Sequence, residues 1–348
     1  MRIPFQALAL FTRQLVTLLQ GGVPLVRSLE ALSLQSEYPA FGEVVRDITH
    51  KVESGHRFSD SLSRYPLIFP KIYVVMVEIG EHSGGLDHSM ERLAGWLERD
   101  GQLRQRIRSA LTYPAFILAL AACLTLIIFY CVMPAFMGIF TEMQVELPLI
   151  TRFTLGVTNA VRSPTAWLAT VLLLAGVVRQ VQRAWEDPGG RLFLYSLALQ
   201  IPLLGGILWN GAASRYCSAA ETLLNSGSGL ERTLRLSASV SGSPLLQSDS
   251  ARLTGTVSEG NLASEHMLEH SEIYSTTMAH MAAAGEEASR LPEMFGRAGD
   301  FHALEMEGQV ETLKAALEPM MLAAVALVVG TVILSVFLPL YGFLSRIA

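Results

Sequence analysis

Hydrophobic positions recur with a helical period over most of the chain. Near the N-terminus they fall at intervals of three and four residues, and similar stripes follow within 41–52 and 72–79. Such spacing predicts amphipathic helices that pack around a core. No alternation of period two, which would indicate strands, occurs in the first 112 residues. We therefore predict a bundle of short helices there, of which the first has the inner face Phe5, Leu8, Phe11, Leu15, Leu18 and Leu19.

Three longer stretches contain no charged residue. They lie between Arg108 and Glu142, between Arg162 and Arg179, and between Glu318 and Arg346. A helix needs about 20 apolar residues to cross the hydrocarbon core of a membrane. We therefore predict three transmembrane helices, at 113–137, 163–183 and 318–343. The second is short, and its flanking arginines must reach toward the membrane interfaces.

The sequence also repeats itself at a constant offset of 205 residues. Thr17-Leu18-Leu19 returns as Thr222-Leu223-Leu224, and Gly22 returns as Gly227. Within 17–29, seven of thirteen positions are identical to their counterparts, whereas chance would give about one. A period of this length indicates a duplicated domain rather than a solenoid. We predict a first copy at 1–112 and a second copy at 184–317, with an external loop at 138–162.

The duplication constrains the membrane topology. Two copies of one domain are expected on the same side of the membrane, and the two predicted spans between them allow this. Arginines cluster at the ends of the first two spans that adjoin the copies, so the positive-inside rule places both copies in the cytoplasm and the loop outside. These arginines are Arg99, Arg104, Arg106 and Arg108 before the first span, and Arg179, Arg183 and Arg191 after the second.

Composition supports a membrane protein and distinguishes the two copies. Charged residues make up 16% of the chain, against about 25% in an average soluble domain. Residues 1–112 carry a net charge of +1, and residues 185–318 carry −9. The acidic second copy argues against nucleic acid as a partner, and suits a basic protein or simple solubility. Three cysteines predict no disulfide framework.

Motifs of known enzymes and transporters are missing from the sequence. It contains no GxxxxGK[ST] phosphate loop, no complete GxGxxG, no HExxH and no GxSxG. The three uncharged stretches also lack histidine, and ionisable residues within spans are the usual mark of an ion path or an intramembrane active site. These absences argue against a nucleotide hydrolase, a pump, a secondary transporter and an intramembrane protease, and we predict no cofactor.

Two weak candidates for metal binding occur in the second copy. His266 and His270 are spaced i, i+4 among glutamates, so they could share a helix face. Because their first-copy counterparts are Ser61 and Tyr65, a solvated helix face is the preferred interpretation. A carboxylate site that uses Glu286 and its neighbour Glu287 is the other candidate.

The strongest repeated motif is a Gly-Glu turn. Gly80-Glu81-His82-Ser83-Gly84-Gly85-Leu86 recurs as Gly285-Glu286-Glu287-Ala288-Ser289-Arg290-Leu291. Gly80 and Gly285 are predicted to be left-handed helix C-caps, and Leu86 and Leu291 to return to the core. Glu81 and Glu286 are predicted to cap the start of the next helix, or else to contact a partner. The candidate motif is therefore Gly80, Glu81, Gly84, Leu86, Gly285, Glu286 and Leu291.

Four segments resemble a known family. They are FTRQLVTLLQGGVPLVRSLEAL (11–32), VEIGEHSGGLDHSMERLA (77–94), ALTYPAF (110–116) and ELPLITR (146–152). They are similar to the inner-membrane platform proteins of type II secretion and type IV pilus assembly. The resemblance implies a multipass homo-oligomeric scaffold that is not an enzyme. Its implied partners are a cytoplasmic hexameric ATPase, pilin or pseudopilin subunits, and other inner-membrane assembly proteins.

Two other classes of protein are disfavoured. A channel or carrier conflicts with the uncharged spans, and a membrane enzyme such as a prepilin peptidase would need paired intramembrane aspartates. The resemblance leaves open whether the client is a pilus, a secretion pseudopilus or a DNA-uptake filament. One difference between the repeats, Ser83-Gly84-Gly85 against Ala288-Ser289-Arg290, suggests that the two copies are not interchangeable.

Overall fold

The computed structural model describes residues 3–35, 38–136, 138 and 148–347, and every regular element within them is helical. A π-helical turn, Ile128–Val132, directly follows the sixth α-helix. The prediction of an all-α protein is thus confirmed for the described residues. Their α-helices, α1 to α15 in chain order, are Phe5–Gln20, Leu25–Gln35, Pro39–Glu53, Phe58–Ser63, Lys71–Ser83, Leu86–Ile127, Leu149–Arg162, Pro164–Glu186, Pro188–Leu199, Leu204–Asn225, Leu230–Ser241, Pro244–Ser258, Ala263–Glu269, Thr276–Glu287 and Leu291–Ile347.

The helices reproduce the sequence repeat residue by residue. Each of α2 to α6 begins 205 residues before its counterpart among α11 to α15. Both α3 and α12 begin with a proline, Pro39 and Pro244. Proline suits the first position of a helix because the N–H that it lacks would have no intrahelical partner there. The duplication therefore extends from sequence to local structure.

Backbone conformation repeats at the same offset. Positive φ angles occur at Gly55 (88°) and Gly260 (89°), and again at Gly84 (72°) and Ser289 (53°). The first pair follows α3 and α12, where a left-handed residue lets the chain leave the helix. The second pair lies between α5 and α6 and between α14 and α15. Serine at position 289 adopts a conformation that favours glycine.

The two copies pack together in one compact unit, formed by described residues within 1–107 and 195–309. Each copy has a hydrophobic core of its own. The core of copy 1 also includes Ala219 and Leu223, which belong to α10 of copy 2. Copy 1 therefore buries part of copy 2 within its own core.

Ion pairs join the two copies around this apolar contact. Arg99 Nη1 lies 3.1 Å from Glu221 Oε2, and Arg232 Nη2 lies 2.6 Å from Glu78 Oε2. A third pair joins Arg106 to Glu307. Exposed pairs of this kind contribute about 0–1 kcal/mol each. The burial of Ala219 and Leu223 therefore stabilises the contact between the two copies more than these ion pairs do.

The second compact unit, within 108–194 and 310–348, contains the apolar helices. Among the described residues, three stretches are long and apolar enough to cross a membrane: Leu86–Phe136, Pro164–Glu186 and Leu291–Pro339. The bent pair of α9 and α10 is also apolar enough, but most residues of α10 are buried. No residue of α8 is buried, so its leucines and valines would face water if no membrane surrounded them.

Bundles and spans are continuous in this structure. The predicted boundaries at 112/113 and 317/318 fall inside α6 and α15, each of which runs from its copy into an apolar segment. The predicted loop at 138–162 contains a helix, α7, and its residues 139–147 lie outside the described part of the chain. Within the second unit, Thr151 Oγ1 on α7 donates a hydrogen bond of 3.0 Å to the Ser335 carbonyl oxygen on α15.

Candidate functional site

Glu81 binds the beginning of a helix that lies earlier in the chain. Its Oε1 accepts a hydrogen bond of 2.6 Å from the Phe58 N–H, and its Oε2 accepts one of 3.2 Å from the Ser59 N–H. The Ser59 hydroxyl donates to the same Oε2. The N-cap residue of α4, Arg57, provides no side-chain cap of its own. A carboxylate from α5 thus satisfies backbone donors that α4 would otherwise leave free.

Glu286 makes the same contacts in copy 2. Its Oε1 accepts a hydrogen bond of 2.8 Å from the Ala263 N–H, and its Oε2 accepts one of 3.2 Å from the Ser264 N–H. The N-cap residue of α13, Leu262, again provides no side-chain cap. We call each of these arrangements a glutamate clamp. Because Glu286 already accepts two backbone hydrogen bonds, it is a poor candidate for the predicted carboxylate metal site with Glu287.

The clamps differ from the predicted caps in one respect. The sequence predicts that each glutamate caps the next helix, α6 or α15. In the structure each glutamate instead reaches back 22 or 23 residues to α4 or α13. The helix that contains each glutamate does not end at the preceding glycine, and this extra length directs the carboxylate toward the earlier helix.

The prediction that Gly80 and Gly285 are left-handed C-caps is wrong. Gly80 lies inside α5 and Gly285 lies inside α14, and neither has a positive φ. The left-handed residues come four positions later, at Gly84 and Ser289. The physical reason is that the chain needs a further helical turn before it can reverse direction into α6 or α15.

Close helix packing explains why positions 80 and 285 are occupied by glycine. A Cβ atom added to Gly80 would lie 2.9 Å from the Ser89 Cβ and 3.0 Å from the Leu86 Cα. A Cβ added to Gly285 would lie 2.9 Å from the Leu291 Cα. Leu86 and Leu291 are half-buried and pack against the cores of their copies. Each glycine thus lets the start of the next helix pass directly over it.

Copy 2 also contains a buried polar cluster that the sequence did not predict. Asp249 Oδ2 accepts hydrogen bonds from His266 Nε2 at 2.8 Å and from the Tyr274 hydroxyl at 2.9 Å. Arg252 Nε lies 2.8 Å from Asp249 Oδ1. His266 is only 6% exposed, so the prediction of a solvated helix face is wrong for this residue. It is wrong because α13 packs this face against α12.

The charge of Asp249 results from opposing effects. Burial raises the pKa of this carboxyl, but the hydrogen bonds from His266 and Tyr274 outweigh burial and hold the pKa below its ordinary value. Burial also raises the pKa of Tyr274, which therefore stays protonated and donates. The copy 1 residues at the matching positions are Val44, Ser61 and Phe69. A comparison of the two copies would therefore have revealed the cluster.

A second polar network surrounds His302 on α15. Its Nδ1 lies 2.7 Å from Asn210 Oδ1, and its Nε2 lies 2.8 Å from Ser275 Oγ. Asn210 Nδ2 donates a hydrogen bond of 3.2 Å to Gln309 Oε1. Burial lowers the pKa of His302 to about 4. The counterpart of His302 in copy 1 is Leu97, so this network too belongs to copy 2 alone.

These features together define a class of protein. It is a duplicated all-α membrane protein whose two copies share a glutamate clamp and continue into apolar helices. The chain belongs to the family of the type II secretion system (T2SS), protein F, whose model matches residues 11–134 and 217–339. The matched segments cover most of each copy and most of the apolar helix that follows it. The family that the sequence motifs suggested is thus confirmed.

Individual relatives align over nearly the whole chain. The type IV pilus assembly protein PilC of Thermus thermophilus is 32% identical over 343 residues, which cover 98% of this chain and 83% of the relative. The type II secretion system protein F of Pseudomonas aeruginosa is 30% identical over 335 residues, or 96% of this chain and 82% of the relative. PilC of Myxococcus xanthus is 28% identical over 338 residues, covering 97% and 80%.

Proposed function

We propose that this chain is an inner-membrane platform protein of a type II secretion or type IV pilus machine. In this role it couples a cytoplasmic hexameric ATPase to the assembly of pilin or pseudopilin subunits. The observation that carries the proposal is the duplicated helical bundle joined to apolar helices, which the protein F family model matches in both copies. Relatives named for type IV pilus assembly and for type II secretion support both versions of the machine.

Both copies are proposed to lie in the cytoplasm. Their packing in one compact unit supports a location on the same side of the membrane, because residues of α10 are part of the copy 1 core. The arginines that flank the first two spans support the cytoplasmic side. The segment between these spans is then external.

Cysteine labelling tests this topology. The native cysteines at 123, 131 and 217 are replaced first, and single cysteines are then introduced as Ser54→Cys, Ser258→Cys or Glu146→Cys. Ser54 and Ser258 lie at or next to the ends of α3 and α12 and are exposed. In intact cells an impermeant thiol reagent should label only the cysteine at position 146. Labelling of position 54 but not position 258, or the reverse, would contradict a shared side.

We propose further that the protein hydrolyses no nucleotide and instead binds the motor ATPase through its cytoplasmic copies. The lack of a phosphate-binding loop in the sequence supports this. The full chain, purified in detergent, should show no ATPase activity, and it should co-purify with the motor ATPase of the same machine. Hydrolysis that persists after removal of all motor protein would refute the first statement. Failure to co-purify from a functional machine would refute the second.

A further inference from the structure

The polar cluster of copy 2 has the composition of a metal site. One potential ligand atom from each of Asp249, His266 and His270 lies within 4.8 Å of the other two. Two imidazole nitrogens with one carboxylate oxygen form a donor set typical of zinc and related transition metals, whereas calcium and magnesium prefer oxygen alone. The two histidine rings stack with their centroids 4.2 Å apart, so both side chains leave the backbone on the same side.

His270 is oriented as a metal-binding histidine usually is. Its Nδ1 lies 2.9 Å from the carbonyl oxygen of His266 and donates to it. In metal sites such a hydrogen bond fixes the ring and leaves Nε2 with a free lone pair. The Nε2 of His270 has no hydrogen-bond partner among the described residues. His270 is only half-buried, which provides a path for an ion to enter.

The hydrogen-bond geometry around His266 suits metal binding through its Nε2. The Thr256 hydroxyl donates a hydrogen bond of 3.1 Å to the Arg252 carbonyl oxygen, so its oxygen is available to accept from His266 Nδ1, 3.3 Å away. His266 Nε2 lies 2.8 Å from Asp249 Oδ2, so an ion that replaces the proton between these two atoms can bond to both of them.

We propose that Asp249, His266 and His270 form a binding site for one divalent transition-metal ion such as Zn²⁺. When the ion binds, it takes the place of any proton on His266 Nε2, and that proton leaves to solvent. Zinc bonds to nitrogen and oxygen are about 2.0–2.2 Å long. The separation of 2.8 Å between Nε2 and Oδ2 must therefore widen by about half an ångström. A water molecule completes the coordination.

The proposed ion joins α12 to α13 in copy 2. Metal binding at this place is a property beyond the proposed platform function. Asp249 lies on α12, His266 lies on α13, and His270 directly follows α13. The ion thus connects the two sides of the turn at Gly260, next to the helix start that the Glu286 clamp holds. Copy 1 cannot bind an ion in this way, because its matching residues are Val44, Ser61 and Tyr65.

The test uses the full chain in detergent, with its affinity tag removed and all metal stripped by a chelator. Titration calorimetry with ZnCl₂ should show one tight site per chain. The variant His270→Gln should weaken binding at least about tenfold. The matched control His280→Gln alters an exposed histidine of α14 and should leave binding unchanged. Arg252→Gln removes a positive charge that repels the ion, so this variant should bind zinc more tightly.

Two results would overturn the proposal. In the first, the metal-free protein binds no zinc. In the second, His270→Gln and His280→Gln bind zinc equally well, which would place the binding elsewhere. His266→Gln alters the core and risks unfolding the protein, whereas substitution of half-buried His270 keeps the core intact. Replacement of zinc by Co²⁺ adds a visible absorption spectrum that reports on the ligands directly.

Discussion

In copy 1, helices α1, α3 and α5 and the residues before α5 enclose a run of aromatic rings. In copy 2 the matching helices enclose hydrogen-bonded polar groups. The ring centroids of Phe11 and Phe41 lie 5.2 Å apart, and those of Phe69 and Tyr73 lie 5.1 Å apart. The copy 2 residues at these four positions are Tyr216, Leu246, Tyr274 and Met278. Of these, Tyr274 donates a hydrogen bond to a buried carboxylate instead of packing in an aromatic run.

The comparison distinguishes the features that define the fold from the core side chains, which can vary. Helix starts, left-handed turns, the glutamate clamp and the close-packed glycine occur in both copies at the same offset. The core side chains differ in size and polarity. A backbone held by caps and tight crossings accepts different interiors, provided that volume is filled and buried polar groups are paired. The two interiors should therefore respond differently to pH while their shared features respond alike.

The largest expected effect concerns the glycines that both copies share. Gly80→Ala and Gly285→Ala should each lower stability by about 2 kcal/mol, because the new methyl group meets backbone atoms of the next helix. Thermal unfolding of the full chain in detergent measures this. The matched control is Gly95→Ala in α6, where a Cβ has nothing within 4 Å. The control should instead stabilise by up to about 1 kcal/mol through helix propensity. Equal behaviour of Gly80→Ala and Gly95→Ala would contradict the close-packing interpretation.

The next prediction concerns the pH dependence of stability, which should differ between the interiors of the two copies. The pKa of His302 is about 4 in the folded protein, below the ordinary value of about 6.5. Folded protein therefore keeps this ring neutral, while unfolded protein binds a proton below pH 6.5. The contribution to stability is complete above pH 6.5 and is lost as the pH falls toward 4.

Melting curves between pH 7 and pH 4 test this prediction. His302→Gln keeps a polar side chain beside Asn210 and Ser275 but cannot titrate, so its melting temperature should fall less over this range than that of the wild type. The matched control is His88→Gln in copy 1, an exposed histidine whose replacement should leave the pH dependence unchanged. If His302→Gln and the wild type have the same pH dependence, the buried network is not the source of acid sensitivity.

A smaller effect is expected at the glutamate clamps. Glu81→Ala and Glu286→Ala each leave two backbone donors of a helix start without their protein partner, which should cost about 1 kcal/mol by analogy with other capping groups. Glu81→Gln retains an acceptor oxygen and should cost less than the alanine variant. Melting curves should show the same order in both copies.

A functional assay separates the clamp from a contact with the motor or the filament, the other role predicted for Glu81 and Glu286. A purely structural clamp predicts that Glu81→Gln and Glu286→Gln variants still secrete or assemble filaments. A variant with wild-type melting that is correctly inserted but inactive would instead support the partner contact.

The sequence allowed the elements to be predicted better than the contacts between them. Uncharged stretches and helical periodicity are local properties, and they predicted the spans and most of the bundle. The glutamate clamp joins residues 22 or 23 positions apart, and no periodicity indicates which helix a carboxylate will reach. His266 lies next to glutamates in the sequence and therefore resembles a surface residue, although its face packs against α12. The buried polar groups could have been found by comparing the copies, because they are titratable residues at positions where the other copy has an apolar residue. His302 and its copy 1 counterpart Leu97 are an example.

The smallest predicted effect concerns a left-handed position at which the two copies have different residues. Gly84 and Ser289 occupy the same place in the repeat, with φ of 72° and 53°. A Cβ at Gly84 would have nothing within 4 Å, so only backbone strain distinguishes serine from glycine there. Ser289→Gly should therefore stabilise the protein by about 0.5–1 kcal/mol, and Gly84→Ser should destabilise it by a similar amount. Thermal melts of the two reciprocal variants should shift in opposite directions. A shift in the same direction for both would mean that the serine hydroxyl, rather than the backbone, decides the stability of this turn.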